Sequence, residues 1–141
     1  YFELERFSEE SPQFKNIHIS DVTVKGALQA MLLQGLPEMN LENVTLQNLL
    51  IEAENGIIIA DATNIHIENV ELVTKEGNAI DIINSSLIDI QKFNYDFETS
   101  EEVRIFGERT KQISLENTLT NKNLSSHVVV GKGVDINEIS Y

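Results

Sequence analysis

Short runs in which apolar and polar residues alternate return along the chain as KNIHISDV, ENVTLQNL, TNIHIENV, LIDIQKF and KQISLENT. Alternation with period two marks a strand buried on one face. Aligned on the first inward apolar residue, the copies read Ile17, Val44, Ile65, Ile88 and Ile113, at steps of 27, 21, 23 and 25 residues. Two positions on come Ile19, Leu46, Ile67, Ile90 and Leu115, and the residues between, His18, Thr45, His66, Asp89 and Ser114, face outward. A second run follows each copy, with inward pairs Met31/Leu33, Ile57/Ile59, Ile80/Ile82, Val103/Ile105 and Val128/Val130. A third lies just after the first, at Val22/Val24, Leu49/Ile51, Val70/Leu72 and Phe93/Tyr95.

Polar slots separate these runs. Asp21, Asn48, Asn69, Lys92 and Asn117 stand between the first and third runs, and Asn16, Asn43, Asn64, Leu87 and Gln112 stand before the first. Asparagine tolerates left-handed backbone, and its amides stack from coil to coil, so these are corner positions. Gly35, Gly56, Gly77, Gly107 and Gly131 fall near the second run, where corners with positive φ are expected.

A unit of this size cannot bury its own apolar face and must stack on its neighbours. The expected fold is all-β: a right-handed single-stranded parallel β-helix, or solenoid, of about five coils with three short strands each. Residues 1–14 read as an irregular leader and 15–141 as coils, with first strands near 17–19, 44–46, 65–67, 88–90 and 113–115. Open solenoid ends expose strand edges and core, so end-to-end or edge association of exposed coils is expected unless they are capped. The pattern decays at Asn117-Thr118-Leu119-Thr120, which suits a natural C-terminal finish, and the chain reads as a piece of a longer protein that starts at Tyr1.

The net charge of -13, with ten Lys and Arg against 23 Asp and Glu, argues against a nucleic-acid partner and an acidic membrane surface. The charges fall on outward positions and corners, densest at Glu98, Glu101 and Glu102, as on a solvated face. No apolar run is long enough to span a membrane. The absence of cysteine excludes disulfides and thiolate-bound metals.

Three features from Ser11 to about Phe93 carry a resemblance: the entry SPQFKNIHISDVTVKGA, the insertion QGLPEM at Gln34–Met39 feeding into LENVTLQNL, and the coil IIIADATNIHIENVEL. In these the chain resembles the C-terminal coils of glycoside hydrolase family 28, the polygalacturonase and rhamnogalacturonase family, and its bacterial pectin-degrading branch in particular. The resemblance implies a secreted or periplasmic protein whose parent is an inverting hydrolase acting on a pectic polysaccharide, with no cofactor. Inversion needs a general acid and a general base spaced to admit a water. The family supplies these from an Asn-Thr-Asp motif and an Asp-Asp doublet, supported by Gly-His-Gly and Arg-Ile-Lys motifs. None is present: no two aspartates adjoin, Asn117-Thr118 continues with Leu119, and no histidine is flanked by glycines. Arg109-Thr110-Lys111 imitates the last motif without its context. The expectation is therefore a C-terminal structural part with no catalytic residue and no hydrolytic activity of its own. The alternative is a non-catalytic solenoid that binds a carbohydrate or a partner. Against it, the chain has no Trp, and Phe93 and Tyr95 fall in inward slots.

Within that frame QGLPEM is the best functional candidate. Pro37 stiffens the backbone, and in the parent such a corner flanks a sugar subsite at which Gln34 and Glu38 bond hydroxyls. The structural alternative has Leu36 and Met39 plugging the coil interface while Glu38 caps nearby amides. Other clusters are weaker. His18 and His66 share an outward row but stand two coils apart, about 9.6 Å by the strand spacing, too far for one zinc ion. Asp61 and Asp81 lie near the second runs of adjacent coils, where chance proximity in so acidic a chain outweighs a calcium site, which needs many oxygen ligands. No metal site is expected. Outward Leu32, Ile58 and Val129 suggest a shallow apolar stripe, and Asn43, Asn84 and Asn123 match the glycosylation sequon by composition.

Overall fold

The computed structural model describes residues 14–95, 103–116 and 127–141. Among the described residues nine strands carry the fold: β1 (Lys15–Gln34), β2 (Leu41–Ala60), β3 (Ala62–Thr74), β4 (Ile80–Ile83), β5 (Ser86–Tyr95), β6 (Val103–Phe106), β7 (Lys111–Ser114), β8 (Val128–Val130) and β9 (Ile139–Ser140), and a 3-10 turn at Ile136–Glu138 precedes the last. Every pairing among these nine strands is parallel. From β2 two ladders diverge, β3-β5-β7-β9 along the first and third runs and β4-β6-β8 along the second, and β1 pairs with β2 alone. The molecule is a parallel β-solenoid of about five turns.

The register follows the periodicity. Ile17, Val44, Ile65, Ile88 and Ile113 are consecutive partners, and Ile139 extends this row by a sixth, short rung that the repeat pattern had not disclosed. Met31, Ile57, Ile80, Val103 and Val128 form the second-run row. The third run stacks Val22, Leu49, Val70 and Phe93. These rows meet in one core, where Ile59, Ile65, Ile67, Val70, Ile82, Ile90 and Phe93 are fully buried. Phe93 stacks on Tyr95 with centroids 6.4 Å apart. The Tyr95 hydroxyl, which needs a partner when buried, lies 2.8 Å from Thr74 Oγ1.

The corner slots take left-handed backbone as expected. Asn16, Asn43, Asn64, Leu87 and Gln112 have φ between 53° and 58°, and Asp21, Asn48, Asn69 and Lys92 between 48° and 59°. Amides ladder through both slots: Asn43 Nδ2 donates to Asn16 Oδ1 at 3.0 Å and Asn64 Nδ2 to Asn43 Oδ1 at 2.7 Å. In the second slot Asn48 Nδ2 donates to Asp21 Oδ1 at 3.0 Å and Asn69 Nδ2 to Asn48 Oδ1 at 2.8 Å.

The glycines divide. Gly77 and Gly107 do use positive φ, but Gly35, Gly56 and Gly131 do not. At Gly35 a Cβ would strike the Asp61 carbonyl and the Leu41 amide, and at Gly56 the Asn78 and Ala79 carbonyls, so close backbone approach selects glycine there. At the corner beside Gly35 the positive φ is taken instead by Asp61 and Asn84. The first coil is six residues longer than the second. One is absorbed by a bulge between Val24 and Ala27, where Gly26 has φ 71°, and the rest by the loop after Gln34.

The expected apolar stripe is corrected. Leu32, Ile58 and Val129 share a row, but Asp81 and Arg104 occupy its middle. The Arg104 guanidinium bonds Asp81 through Nε and Nη2, both at 2.9 Å, so the row is apolar only at its two ends. The leader as far as residue 13, the decayed motif at Asn117-Thr118-Leu119-Thr120, the acidic run at Glu98, Glu101 and Glu102, and Asn123 lie outside the described residues.

Candidate functional site

The insertion forms a short finger. β1 ends at Gln34, and Gly35 N still donates to Ala60 O at 3.0 Å, so the chain leaves the ladder one residue later. Leu36 and Met39 then exchange backbone hydrogen bonds, each 3.0 Å, across a two-residue tip of Pro37 and Glu38. Proline presets φ at the first tip position of such a turn. Leu41 N returns to Asp61 O at 3.0 Å and restarts the ladder.

Arg109 fastens this finger to the far coils. Its Nη1 donates to Pro37 O at 3.2 Å and its Nη2 to Asp61 Oδ1 at 2.6 Å, while its backbone N donates to Asn84 Oδ1 at 3.4 Å. One guanidinium thus joins residues 48 and 72 positions away in sequence. Its rigid fork suits simultaneous bonds to a carboxylate and a carbonyl.

Beside the finger lies a groove of about 440 Å³ walled by Phe14, Leu32, Gln34, Leu36, Met39 and Asn40. Its polar groups are amides: Gln34 is exposed, and Asn40 Oδ1 is buried without a hydrogen-bond partner among the described residues. Leu36 is 49% exposed, so it does not plug the coil interface, whereas Met39 is partly covered. Gln34 and Glu38 are not brought to one wall: Gln34 lines the groove, and Glu38 is exposed at the finger's tip outside that lining.

A second polar cluster occupies the outward face of the first run. His66 Nδ1 lies 3.0 Å from Asp89 Oδ2 and its Nε2 3.4 Å from Glu68 Oε2. Lys92 Nζ lies 3.0 Å from Glu68 Oε1, and Gln91 Nε2 donates to Asp89 Oδ2 at 3.0 Å. The hydrogen bond from Lys92, followed by that from His66, holds the Glu68 carboxyl below its ordinary value of 4.5. His66 is therefore engaged by its own strand and the next coil, not paired with His18, and no group of three or more His, Cys, Asp or Glu among the described residues has the arrangement of a metal site.

Asp61 and Asp81 do not meet as a pair. Asp61 is held by Arg109 and Asp81 by Arg104. Acid–base hydrolysis needs two carboxyls converging on one cleft, and among the described residues no carboxylate lines the groove beside the finger. That groove offers apolar contact and amide hydrogen bonds, which is the chemistry of binding. Two residues of this region, Arg109 at the finger and Phe14 at the groove, carry no functional signal in the sequence pattern. Arg109 stands out in the sequence only as part of a tripeptide that imitates a family motif without its context, and its bonds to Asp61 and Asn84 arise from the stacking of their corners. Phe14, the last residue of the expected leader, stands three residues before Ile17, as Leu41 stands before Val44, and β1 begins at the next residue, Lys15.

Comparison with protein-family models, with curated proteins and with solved structures finds no match.

Proposed function

We propose that this chain is the C-terminal structural part of a secreted or periplasmic glycoside hydrolase similar to family 28, acting on a pectic polysaccharide. Its coils extend the parent's β-helix, and the acid and base come from coils upstream of β1. The observation that carries this reading is the state of the core at β1. Ile19 and Val22 are 43% and 37% exposed, while their partners Leu46 and Leu49 are 2% and 6% exposed. Apolar rows that end half in solvent continue in a neighbour. The finger and its amide-lined groove sit on the coils next to that edge, where a sugar chain leaving an upstream cleft would pass.

The reading accounts for the carboxylates as well. Asp61, Asp81, Glu68 and Asp89 are all neutralised or hydrogen-bonded by basic and amide groups on the solenoid surface. The experiment is reducing-sugar release by the purified 141-residue chain from polygalacturonate and from rhamnogalacturonan. No release above a boiled control is expected from either; sustained turnover of either polymer would sink the reading.

A further inference from the structure

Asn55-Gly56 is the one asparagine–glycine step in the chain; every other asparagine precedes a residue that has a side chain. Such a step carries chemistry of its own. Glycine has no Cβ to shield its backbone nitrogen, so that nitrogen reaches the preceding side-chain carbonyl more readily than the nitrogen of any other residue would. Closing that ring requires the backbone at the asparagine to leave the extended conformation. In this fold the movement is blocked from two sides, since both residues lie inside β2, with Gly56 buried and Asn55 half-buried. From the first coil, Leu28 O accepts from Asn55 Nδ2 at 3.1 Å, and Gln29, the register partner of Asn55, donates through Nε2 to Gly56 O. From the third coil, the Asn78 and Ala79 carbonyls crowd Gly56, and Ile57 N donates to Ala79 O at 2.9 Å.

We propose that Asn55-Gly56 is a self-modification site gated by the stacking of the first two coils: it is locked while β1 lies on β2, and it is open to deamidation whenever that contact separates. The step needs only water. Gly56 N gives its proton to solvent hydroxide and bonds Asn55 Cγ, and the Cγ–Nδ2 bond breaks with loss of ammonia. Water then opens the cyclic imide at either carbonyl, leaving aspartate or isoaspartate. The first coil is the weaker half of the lock. Among the described residues β1 pairs with β2 alone, and its core-facing Ile19 and Val22 are 43% and 37% exposed, so it opens at lower free energy than the middle of the stack. The isoaspartate product does not restack. It runs the main chain through the side-chain carbon, and the added backbone atom moves the residues beyond it out of register. Ile57 and Ile59, 1% and 0% exposed and paired to Met31/Leu33 on one side and Ile80/Ile82 on the other, are the first displaced. The new carboxylate also falls beside Glu54, in a chain whose net charge is already -13. An opening of the edge is thereby made permanent, and the inference does not depend on the hydrolase reading.

The full chain is held at mildly alkaline pH, folded and in denaturing urea, and isoaspartate at residue 55 is quantified over time by peptide mapping. The folded rate is expected to be at least about tenfold below the unfolded rate, a ratio equivalent to about 1.4 kcal/mol of opening free energy. In sub-denaturing urea it should climb in step with hydrogen exchange of the β1 amides. Gln29→Ala, which removes the first coil's hold on Gly56 O, is expected to raise the folded rate several-fold and to leave the unfolded rate unchanged. Equal folded and unfolded rates, a folded rate that is flat in urea, or a Gln29→Ala chain that stays folded and deamidates no faster would each overturn the proposal. Absence of isoaspartate in urea would overturn it as well.

Discussion

Two corner slots hold residues with φ near 55° whatever their chemistry, because the register of the stack dictates the bend. Where the residue is asparagine, the left-handed backbone is tolerated and the amide ladder adds a hydrogen bond. Where it is Leu87, at φ 53° and exposed to solvent, neither compensation exists. Leu87→Asn is expected to stabilise the fold by about 1–2 kcal/mol in chemical denaturation, through relief of left-handed strain and a new bond to Asn64. Asn64→Ala is expected to destabilise by a similar amount, and Asn64→Gly by less, because glycine keeps the backbone and loses only the ladder. Glu68 makes the pH dependence. Its folded pKa lies below the unfolded 4.5, so its contribution is present above 4.5 and is lost as pH falls through the folded value. Melting scans should show the wild type losing its margin over Glu68→Gln across that acid window; a difference that is flat in pH would refute the assignment. The asparagine slots were legible because asparagine announces its backbone. Leu87 and Gln112 were placed by register alone, and no property of their side chains predicted the strain.

The finger at Leu36–Met39 is an element whose sequence announced a stiff turn but not what holds it. Its anchor, Arg109, comes from a distant coil, and such a contact exists only once the corners are stacked. Arg109→Ala is expected to cost no more than about 1 kcal/mol in global stability, as an exposed ion pair should. The local effect is larger: hydrogen exchange at the Leu36 and Met39 amides should accelerate while the β3 amides stay protected. Arg109→Lys should rescue little, since a single ammonium lacks the fork that reaches both Pro37 O and Asp61. Equal exchange in wild type and Arg109→Ala would remove the staple from the account. The glycines teach the same distinction. Gly77 and Gly107 read correctly as left-handed corners, whereas Gly35 and Gly56 are demanded by carbonyls of the next coil, a tertiary cause invisible in a local pattern.

At the scale of the whole molecule, the repeat made nearly all of the core legible. The inward rows pair as the alternation dictates, and Phe93 at their centre is fully buried. Phe93→Ala is expected to cost about 3–5 kcal/mol, by lost transfer energy and the cavity left behind. The outward faces were legible only as polar. Which carboxylate meets which guanidinium depends on the offset between coils, and so Asp61 and Asp81 were read as possible neighbours when each belongs to a different arginine. A stacked solenoid concentrates what is recognisable in its core and corners, and those residues record architecture more than chemistry. The functional claim therefore rests on the open apolar rows at β1 and on the finger beside them. Its most direct test is to determine the coding sequence that runs into the Tyr1 codon. The account predicts further coils of about the same period, carrying an Asp-Asp doublet and a Gly-His-Gly motif. A start codon immediately before Tyr1, or upstream coils without those motifs, would contradict it.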